Sequence, residues 1–200
     1  VEGIKGMAPM LKIGDPRDPA TLIGPLISAQ QRERVEDYVA SGIDQGAKLV
    51  CGGKRPEGFD KGFFYEPTAL IGTNDMRIAQ EEIFGPVLTI IPYSGSDEDA
   101  VRIANDSIYG LAGSVVAANT SRAFNVVRRI RAGNVTAEGV GSLGTVDPGI
   151  GGGQGPGWGE PIAGLAQGGA FGGFKQSGIG REWGKHGMED FTEVKSISWS

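Results

Sequence analysis

Short apolar runs alternate with amphipathic helices along this chain, and this alternation constrains its fold more than any other feature. Residues 86–93 (PVLTIIPY) form a nearly continuous apolar run, and residues 111–118 form another. Runs of this length predict strands that are buried on both faces. A helix separates them, because Ser96 with three acidic residues after it is typical of a helix N-terminus. Since helices between strands imply crossover connections, the sequence predicts an α/β fold with a largely parallel sheet and flanking helices.

An earlier helix is clearly marked by its first residue and by its apolar spacing. Ser28 is a typical N-cap, and the pattern predicts a helix from there to about Gly46. Two extended segments are predicted after it, at 48–51 and at 63–71. The predicted buried face of the helix carries Val35, Tyr38, Val39 and Ile43.

A third helix is predicted after residue 119, capped by Thr120 or Ser121 and closed by Gly133. Its predicted apolar face carries Phe124, Val127 and Ile130. A further strand is expected to begin at Asn134, which continues the alternation of helix and strand.

Glycine is concentrated in one part of the chain. The sequence has 35 glycines, and 15 of them lie between Gly139 and Gly173. Such a composition buries too little apolar surface to offset its ordering entropy, so a glycine-rich loop is predicted over 139–170. Residues 139–144 match the pattern G-x-G-x-x-G. A dinucleotide fingerprint is not indicated, because the residues that follow, 145–149, cannot begin the helix it needs.

Composition excludes several classes of site and partner. The chain has one cysteine, Cys51, and one histidine, His186, which excludes disulfides and Cys/His metal sites, and we expect no metal. Cys51 is interpreted as a small core residue and His186 as a solvated one. The formal net charge of −5 argues against nucleic acid. No apolar run reaches the roughly 18 residues of a membrane span, and a lone thiol suits a cytoplasmic protein.

Three motifs resemble the NAD(P)-dependent aldehyde dehydrogenase superfamily: residues 81–87 (EEIFGPV), 109–112 (YGLA) and 171–178 (FGGFKQSG). Shorter matches at 14–16, 24–26, 46–48 and 191–195 follow the family's order, so the resemblance covers nearly the whole chain. It implies that residues 1–191 are the C-terminal catalytic (substrate) domain portion of such an enzyme, with the coenzyme domain upstream. Residues 192–200 would then be a C-terminal strand that serves oligomerisation.

The resemblance also implies roles for three side chains. Glu82 would accept hydrogen bonds from the nicotinamide ribose of NAD or NADP, a task that suits an ionised group with two acceptor oxygens. Phe84 would pack near the nicotinamide, and Phe171 would line the substrate tunnel. Without the resemblance, Glu82 would be a surface carboxylate, and Phe84 and Phe171 would be core rings. Lys175 is interpreted as structural.

The implied reaction oxidises an aldehyde to a carboxylic acid. A cysteine thiolate forms a thiohemiacetal, hydride passes to the nicotinamide, and water activated by a glutamate hydrolyses the thioester. Cys51 does not fall on the nucleophile position, so we expect no catalytic residue in this stretch and an inactive isolated fragment. Residues 135–138 (VTAE) depart from the Val-Trp-Val-Asn that is usual in the family, and the loop after them is longer than usual. Since this loop normally shapes the substrate entrance, the resemblance does not identify the aldehyde.

The expected partners are a small aldehyde and further copies of the chain, as a dimer or a tetramer. An alternative is a non-catalytic relative that acts as an assembly or binding module through a strand at 192–199. A free-standing α/β domain that binds a small ligand is a third hypothesis.

Overall fold

The computed structural model describes residues 1–139 and 170–199. They belong to two compact units, Val1–Ser94 and Gly95–Ser200, called here the first and the second unit. Helices flank strands in both, which confirms the predicted α/β class. Two of the three strand pairings are parallel, but the described strands form a three-stranded and a two-stranded sheet instead of one.

The first unit contains three helices and three strands. In chain order these are α1 (Glu2–Met7), α2 (Ala29–Asp44), β1 (Lys48–Cys51), β2 (Thr68–Ile71), α3 (Arg77–Gln80) and β3 (Val87–Ile90), with a 3-10 turn at Ala8–Met10. The sheet order is β1-β2-β3, with β1 antiparallel and β3 parallel to the central strand β2. The core lies between α2, α3 and this sheet, and its buried residues are Val35, Tyr38, Val39, Ala47, Tyr65, Leu70, Ile78 and Ile83.

Helix α2 begins where its sequence predicts. Oγ of Ser28 accepts a hydrogen bond from the main-chain N–H of Gln31 at 3.1 Å, which confirms the N-cap. Of the predicted buried face, Ile43 is exposed and that part of the prediction is wrong. Gly42 takes the buried position in the last turn, because the side chain of Ile78 fills the space beside it.

Strand β3 is shorter and less buried than the apolar run around it. It spans Val87–Ile90, and Leu88 is exposed, so burial on both faces is a wrong prediction there. Successive side chains of a strand project from opposite faces of the sheet, so while Val87 packs against the core, Leu88 projects from the other face, where it is exposed.

The second unit is built around two parallel strands. Its elements are α4 (Asp97–Asn105), β4 (Ala112–Ala117), α5 (Thr120–Val127), β5 (Asn134–Gly139), a 3-10 turn at Lys175–Ser177 and α6 (Gly184–Glu189). Oγ of Ser96 accepts from the N–H of Asp99 at 3.2 Å, which confirms the predicted cap of α4. Exposure alternates along β4, so that strand has one covered face, not the two predicted.

Helix α5 differs from its prediction at both ends. Its N-cap is Asn119, whose Oδ1 accepts from the N–H of Arg122 at 2.9 Å, instead of Thr120 or Ser121. It ends at Val127, well before Gly133. Its buried residues are Ala123 and Val126, because the helix packs this face against β4 and β5, and Phe124, on the predicted apolar face, is exposed.

Two predicted segments are absent from the described fold or lie outside it. Residues 140–169, most of the predicted glycine-rich loop, are outside the described residues. Residues 192–199 are described and form no strand, since they have no pairing partner in the described chain, and Val194 is 98% exposed. A strand there stays a prediction that requires a second chain. No helix in the described ranges is long and apolar enough to cross a membrane.

Candidate functional site

The loop between α3 and β3, residues 81–86, carries the predicted coenzyme contacts and lies along α2. The side-chain amide Nε2 of Gln31 donates to the carbonyl oxygens of Ile83 at 3.0 Å and Phe84 at 2.9 Å. Nη2 of Arg34 donates to the carbonyl oxygen of Glu82 at 2.9 Å. Three successive carbonyls of the α3–β3 loop are therefore held by α2, and the loop is fixed through its main chain.

The first residue of the α3–β3 loop is anchored by its side chain. Oη of Tyr38 donates to Oε2 of Glu81 at 2.6 Å, and Nε of Arg77 donates to the same oxygen at 3.2 Å. The hydrogen bond from Tyr38 and then that from Arg77 hold the pKa of Glu81 below its usual range. The Arg77 guanidinium also lies 4.1 Å from the centre of the Tyr38 ring, in a cation–π contact.

Alternate residues of the α3–β3 loop face inward. Ile83 is buried in the core of the first unit, and a Cβ atom at Gly85 would overlap Cγ2 of Val35 on α2. Glu82 and Phe84, which alternate with Ile83 and Gly85 along the loop, are exposed. The loop therefore separates its structural residues from those that can meet a ligand.

Phe84 has an unfavourable backbone conformation. Its φ of 54° lies in the left-handed region, which costs a bulky residue about 1–3 kcal/mol and is found preferentially at functional sites. Its ring is 70% exposed, so Phe84 is not a core ring of the first unit. The strained backbone presents an aromatic surface instead of burying it.

The carboxylate of Glu82 has no partner in the part of the chain that the structure describes. Within residues 1–139 and 170–199 its side chain has no hydrogen-bond or ion-pair partner and is exposed. Two acceptor oxygens on a fixed main chain can receive two hydroxyl donors from one ligand. The geometry fits the ribose contact that the sequence predicts for Glu82, and the role itself stays a prediction.

In the second unit, Phe171 borders a cavity of about 580 Å³. Its N–H and carbonyl pair with the main chain of Glu182 at 2.8 and 2.7 Å, and its ring centre lies 5.6 Å from that of Trp183. Arg181 and Asp190 also line the cavity, so it is polar as well as aromatic. Phe171 is half-buried, and its assignment to the substrate tunnel stays a prediction.

The contacts of Lys175 support its interpretation as a structural residue, which stays a prediction. Its Nζ donates to the carbonyl oxygens of Asn105 at 2.8 Å and Ser107 at 2.9 Å, at the C-terminus of α4. The carbonyl of Gly110 accepts from the N–H groups of Gly133 at 3.0 Å and Phe174 at 2.8 Å, so the segment with Lys175 is docked by its main chain as well.

His186 agrees with its interpretation from sequence, whereas Cys51 is not a core residue, because β1 lies at one end of the described sheet and is only partly covered. Cys51 ends β1 and is partly buried. The His186 side chain is 65% exposed, and its Nδ1 lies 3.0 Å from Oε2 of Glu189. Across the described ranges, no group of three His, Cys, Asp or Glu side chains is placed to hold a metal ion.

Sequence reasoning missed the α2 residues that hold the α3–β3 loop. Gln31 follows Ser28 by three positions, a spacing that predicts a local capping box. Its actual acceptors lie 52 and 53 residues away, and no local pattern carries that information. Arg34 and Tyr38 were likewise indicated only as helix residues.

Known proteins are similar to this chain along nearly its whole length. The sequence model of the Aldehyde dehydrogenase family matches residues 1–160 and 157–197. A 3-succinoylsemialdehyde-pyridine dehydrogenase of a Pseudomonas species is 44% identical over 187 residues, which are 92% of this chain and 34% of that protein.

Solved structures show the same similarity. A Mycobacterium tuberculosis aldehyde dehydrogenase complexed with NAD⁺ has a TM-score of 0.79 and 46% identity, covering 96% of this chain and 35% of that one. A betaine aldehyde dehydrogenase from Staphylococcus aureus in complex with NAD⁺ has a TM-score of 0.77 and 34% identity, with 95% and 34% covered. The chain spans about a third of the length of the relatives it matches.

Proposed function

This chain belongs to the aldehyde dehydrogenase family, and from that premise we propose that it supplies the coenzyme-ribose contact and part of the aldehyde pocket of an oxidoreductase. The whole enzyme oxidises an aldehyde to a carboxylic acid with NAD⁺ or NADP⁺. The relatives solved with NAD⁺ support this choice of coenzyme.

The α3–β3 loop is the observation that carries the proposal. When bound, the coenzyme supplies the hydride acceptor. Glu82 accepts hydrogen bonds from its ribose hydroxyls, and the exposed ring of Phe84 packs against it. Because Gln31 and Arg34 hold the main chain of the loop, the side chains of Glu82 and Phe84 are not needed to keep it folded. Phe171 contributes an apolar wall for the aldehyde, beside the cavity of the second unit.

The nucleophilic thiolate and the general base are proposed to come from sequence outside residues 1–200. Cys51 is the sole thiol of the chain, and it ends a strand of the first unit. Among the described residues, no side chain forms a hydrogen bond or ion pair with it that would activate a nucleophile.

Self-association and a cytoplasmic location complete the proposal. Residues 191–199 expose Phe191, Val194, Ile197 and Trp199, which suits an apolar segment covered by another copy in a dimer or tetramer. A lone thiol suits a reducing compartment.

The test replaces Glu82 in the full-length protein that contains this stretch. We expect Glu82→Gln to raise KM for the coenzyme about tenfold, because a charge-assisted hydrogen bond is weakened, with little change in KM for the aldehyde. Formation of reduced coenzyme is followed by its absorbance. Glu57→Gln is the matched control, since that side chain is 93% exposed.

Two outcomes contradict the proposal at different levels. An unchanged coenzyme KM in Glu82→Gln removes this residue from the coenzyme site. Failure of the full-length protein to reduce NAD⁺ or NADP⁺ with any of a panel of aliphatic and aromatic aldehydes overturns the enzymatic function. In that case, concentration-dependent self-association lost on truncation after residue 190 would support the second candidate, a non-catalytic assembly module.

A further inference from the structure

The side chain of Asn134 is bonded to the main chain on either side of Phe171. Asn134 is the first residue of β5, and its Nδ2 donates to the carbonyl oxygen of Ala170 at 3.0 Å. Its Oδ1 accepts from the N–H of Gly172 at 3.4 Å. Because the amide of asparagine offers a donor and an acceptor together, it pairs with these two groups as the main chain of a neighbouring strand would.

The main-chain groups of Phe171 itself are bonded to Glu182. The N–H of Phe171 donates to the carbonyl oxygen of Glu182 at 2.8 Å, and the N–H of Glu182 donates to the carbonyl oxygen of Phe171 at 2.7 Å. Each of the two peptide planes that flank the Phe171 Cα atom therefore has one hydrogen bond with Glu182 and one with Asn134. Since φ and ψ of Phe171 are the rotations between these planes, both angles are restrained.

Of these four hydrogen bonds, the two with Asn134 are made by a side chain and can be removed by substitution. The direction of the Phe171 side chain depends on the angles that they restrain. Its ring centre lies 5.6 Å from that of Trp183, and both residues line the cavity of about 580 Å³. Trp183 is 56% exposed, so this ring contact is a weak restraint by itself. Loss of the Asn134 amide would thus let the Phe171 ring turn.

We infer that Asn134 is a positioning residue for aldehyde binding, which holds the ring of Phe171 at the cavity without touching the substrate itself. This inference rests on the proposed function, in which Phe171 is a wall of the aldehyde pocket. It also assigns a substrate class: apolar aldehydes large enough to cover that ring, such as hexanal and benzaldehyde. Acetaldehyde buries the least apolar surface against the ring, so its binding depends least on Asn134.

Asn134→Leu tests this inference in the full-length enzyme. Leucine has the same branched shape as asparagine, but it neither donates nor accepts a hydrogen bond. Asn105→Leu is the matched control, because Asn105 makes the same pair of bonds elsewhere in the second unit. Its Nδ2 donates to the carbonyl oxygen of Arg129 at 2.8 Å, and its Oδ1 accepts from the N–H of Arg131 at 2.7 Å.

We expect Asn134→Leu to raise KM for hexanal and for benzaldehyde about fivefold, as for the loss of a hydrogen bond. The values of kcat, KM for NAD⁺ and KM for acetaldehyde should change less than about twofold. Asn134→Asp, which keeps the acceptor for Gly172 and loses the donor to Ala170, should raise the same two KM values.

The control separates positioning from a general loss of stability. Asn105→Leu should leave every KM within about twofold of wild type, even where it lowers the thermal unfolding midpoint as much as Asn134→Leu does. An equal rise in the two variants overturns the inference. Unchanged KM values for hexanal and benzaldehyde in Asn134→Leu and Asn134→Asp overturn it as well.

A double-mutant cycle with Phe171→Ala shows whether Asn134 acts through the Phe171 ring. In that background, Asn134→Leu should change KM for hexanal and benzaldehyde less than about twofold, and a full fivefold effect overturns the inference. If Phe171→Ala alone leaves these KM values unchanged, or if the wild type oxidises neither aldehyde, the pocket assigned to Phe171 in the proposed function fails together with the inference. If Phe171→Ala raises them and Asn134→Leu does not, only the positioning role fails.

Discussion

Lys175 is a charged residue of the 171–178 motif, and its described contacts suit a role in the fold. Its ammonium group donates to two carbonyls at the end of α4, where a cation also interacts favourably with the helix dipole. Its φ of 55° is left-handed, like that of Phe84, but its side chain is directed to the protein and not to solvent. Phe84 and Lys175 are two of the three non-glycine residues with positive φ in the described ranges, and their side chains have different surroundings.

We expect Lys175→Met to lower the free energy of unfolding by about 2 kcal/mol, because two carbonyl oxygens lose a charged donor. Chemical denaturation measures the change. Lys185→Met is the control, since its side chain is 86% exposed and lies 4.0 Å from the nearest carboxylate oxygen, on Glu189. A rise in KM for the coenzyme without loss of stability would show that Lys175 contacts the ligand instead.

The candidate site is only partly predictable from single residues. Glu82 and Phe84 were identified through a motif resemblance, since an exposed glutamate and an aromatic residue have no distinctive local pattern. The structure adds that Glu82 is unpaired among the described residues and that Phe84 is strained. Gln31 could not be predicted, because its acceptors are more than 50 residues away in sequence.

At the scale of elements, the docking of residues 171–177 depends on close backbone approach. A Cβ atom at Gly133, just before β5, would overlap the carbonyl oxygen of Gly172. The N–H of Phe174 donates to Gly110 and that of Gln176 to Ile108, at 2.8 and 2.9 Å. The absence of a side chain at Gly133 thus brings the segment that follows Phe171 against β4 and β5.

Gly133→Ala should therefore displace this segment and destabilise the second unit by about 2 kcal/mol. Hydrogen exchange at the amides of Phe174 and Gln176 should become faster. Gly113→Ala is a control within β4, where a Cβ would have ordinary contact with Val135 at 3.5 Å, and it should change stability by less than about 0.5 kcal/mol. Equal protection in the two variants would contradict the close-approach explanation.

Helix starts were predictable to within a residue or two, because a single side chain caps each of these helices, although Asn119 caps α5 instead of Thr120 or Ser121. Ser28 and Ser96 cap their helices as expected, since the acceptor is three residues from the donor. Helix faces were less predictable. Ile43 and Phe124 are exposed, whereas Gly42 and Ala123 are buried in the same turns. Which side of a helix is covered depends on elements that are distant in sequence, so apolar spacing within the helix does not determine it.

At the scale of the whole molecule, the fold class followed from local alternation, whereas the pairing of strands did not. The antiparallel pairing of β1 with β2 joins segments separated by a 16-residue connection, and nothing in either strand specifies its partner's direction. The division of the described strands into two sheets is likewise non-local. Sequence patterns report burial and period, but not which strand lies beside which.

Because Tyr65 is buried in the core of the first unit, we expect the protein to lose stability at alkaline pH. Tyr65 is 2% exposed, and burial, followed by the charges of Glu36 and Glu66, raises its pKa to about 12. The pKa in the unfolded chain is about 10. The unfolded chain therefore releases the Tyr65 proton more readily than the folded chain. The contribution of the protonated phenol to the free energy of unfolding is intact below about pH 10 and is lost between about pH 10 and 12.

Tyr65→Phe should remove this alkaline component, which amounts to about 2 kcal/mol. Denaturation curves recorded from pH 8 to about pH 12 should fall less steeply for this variant than for the wild type. Tyr93→Phe is the control, because Tyr93 is half exposed. Parallel curves for wild type and Tyr65→Phe would show that the Tyr65 phenol titrates normally in the folded protein.

The main-chain attachment of the α3–β3 loop has a consequence for how such a protein can diverge. Under the proposed function, selection on Glu82 and Phe84 would act on coenzyme binding with little penalty in folding, because neither side chain supports the core. Gln31, Arg34 and Gly85 are under the opposite pressure. Under the proposed function, new coenzyme preferences would then arise by substitution at these two positions, while the framework that presents them is inherited unchanged.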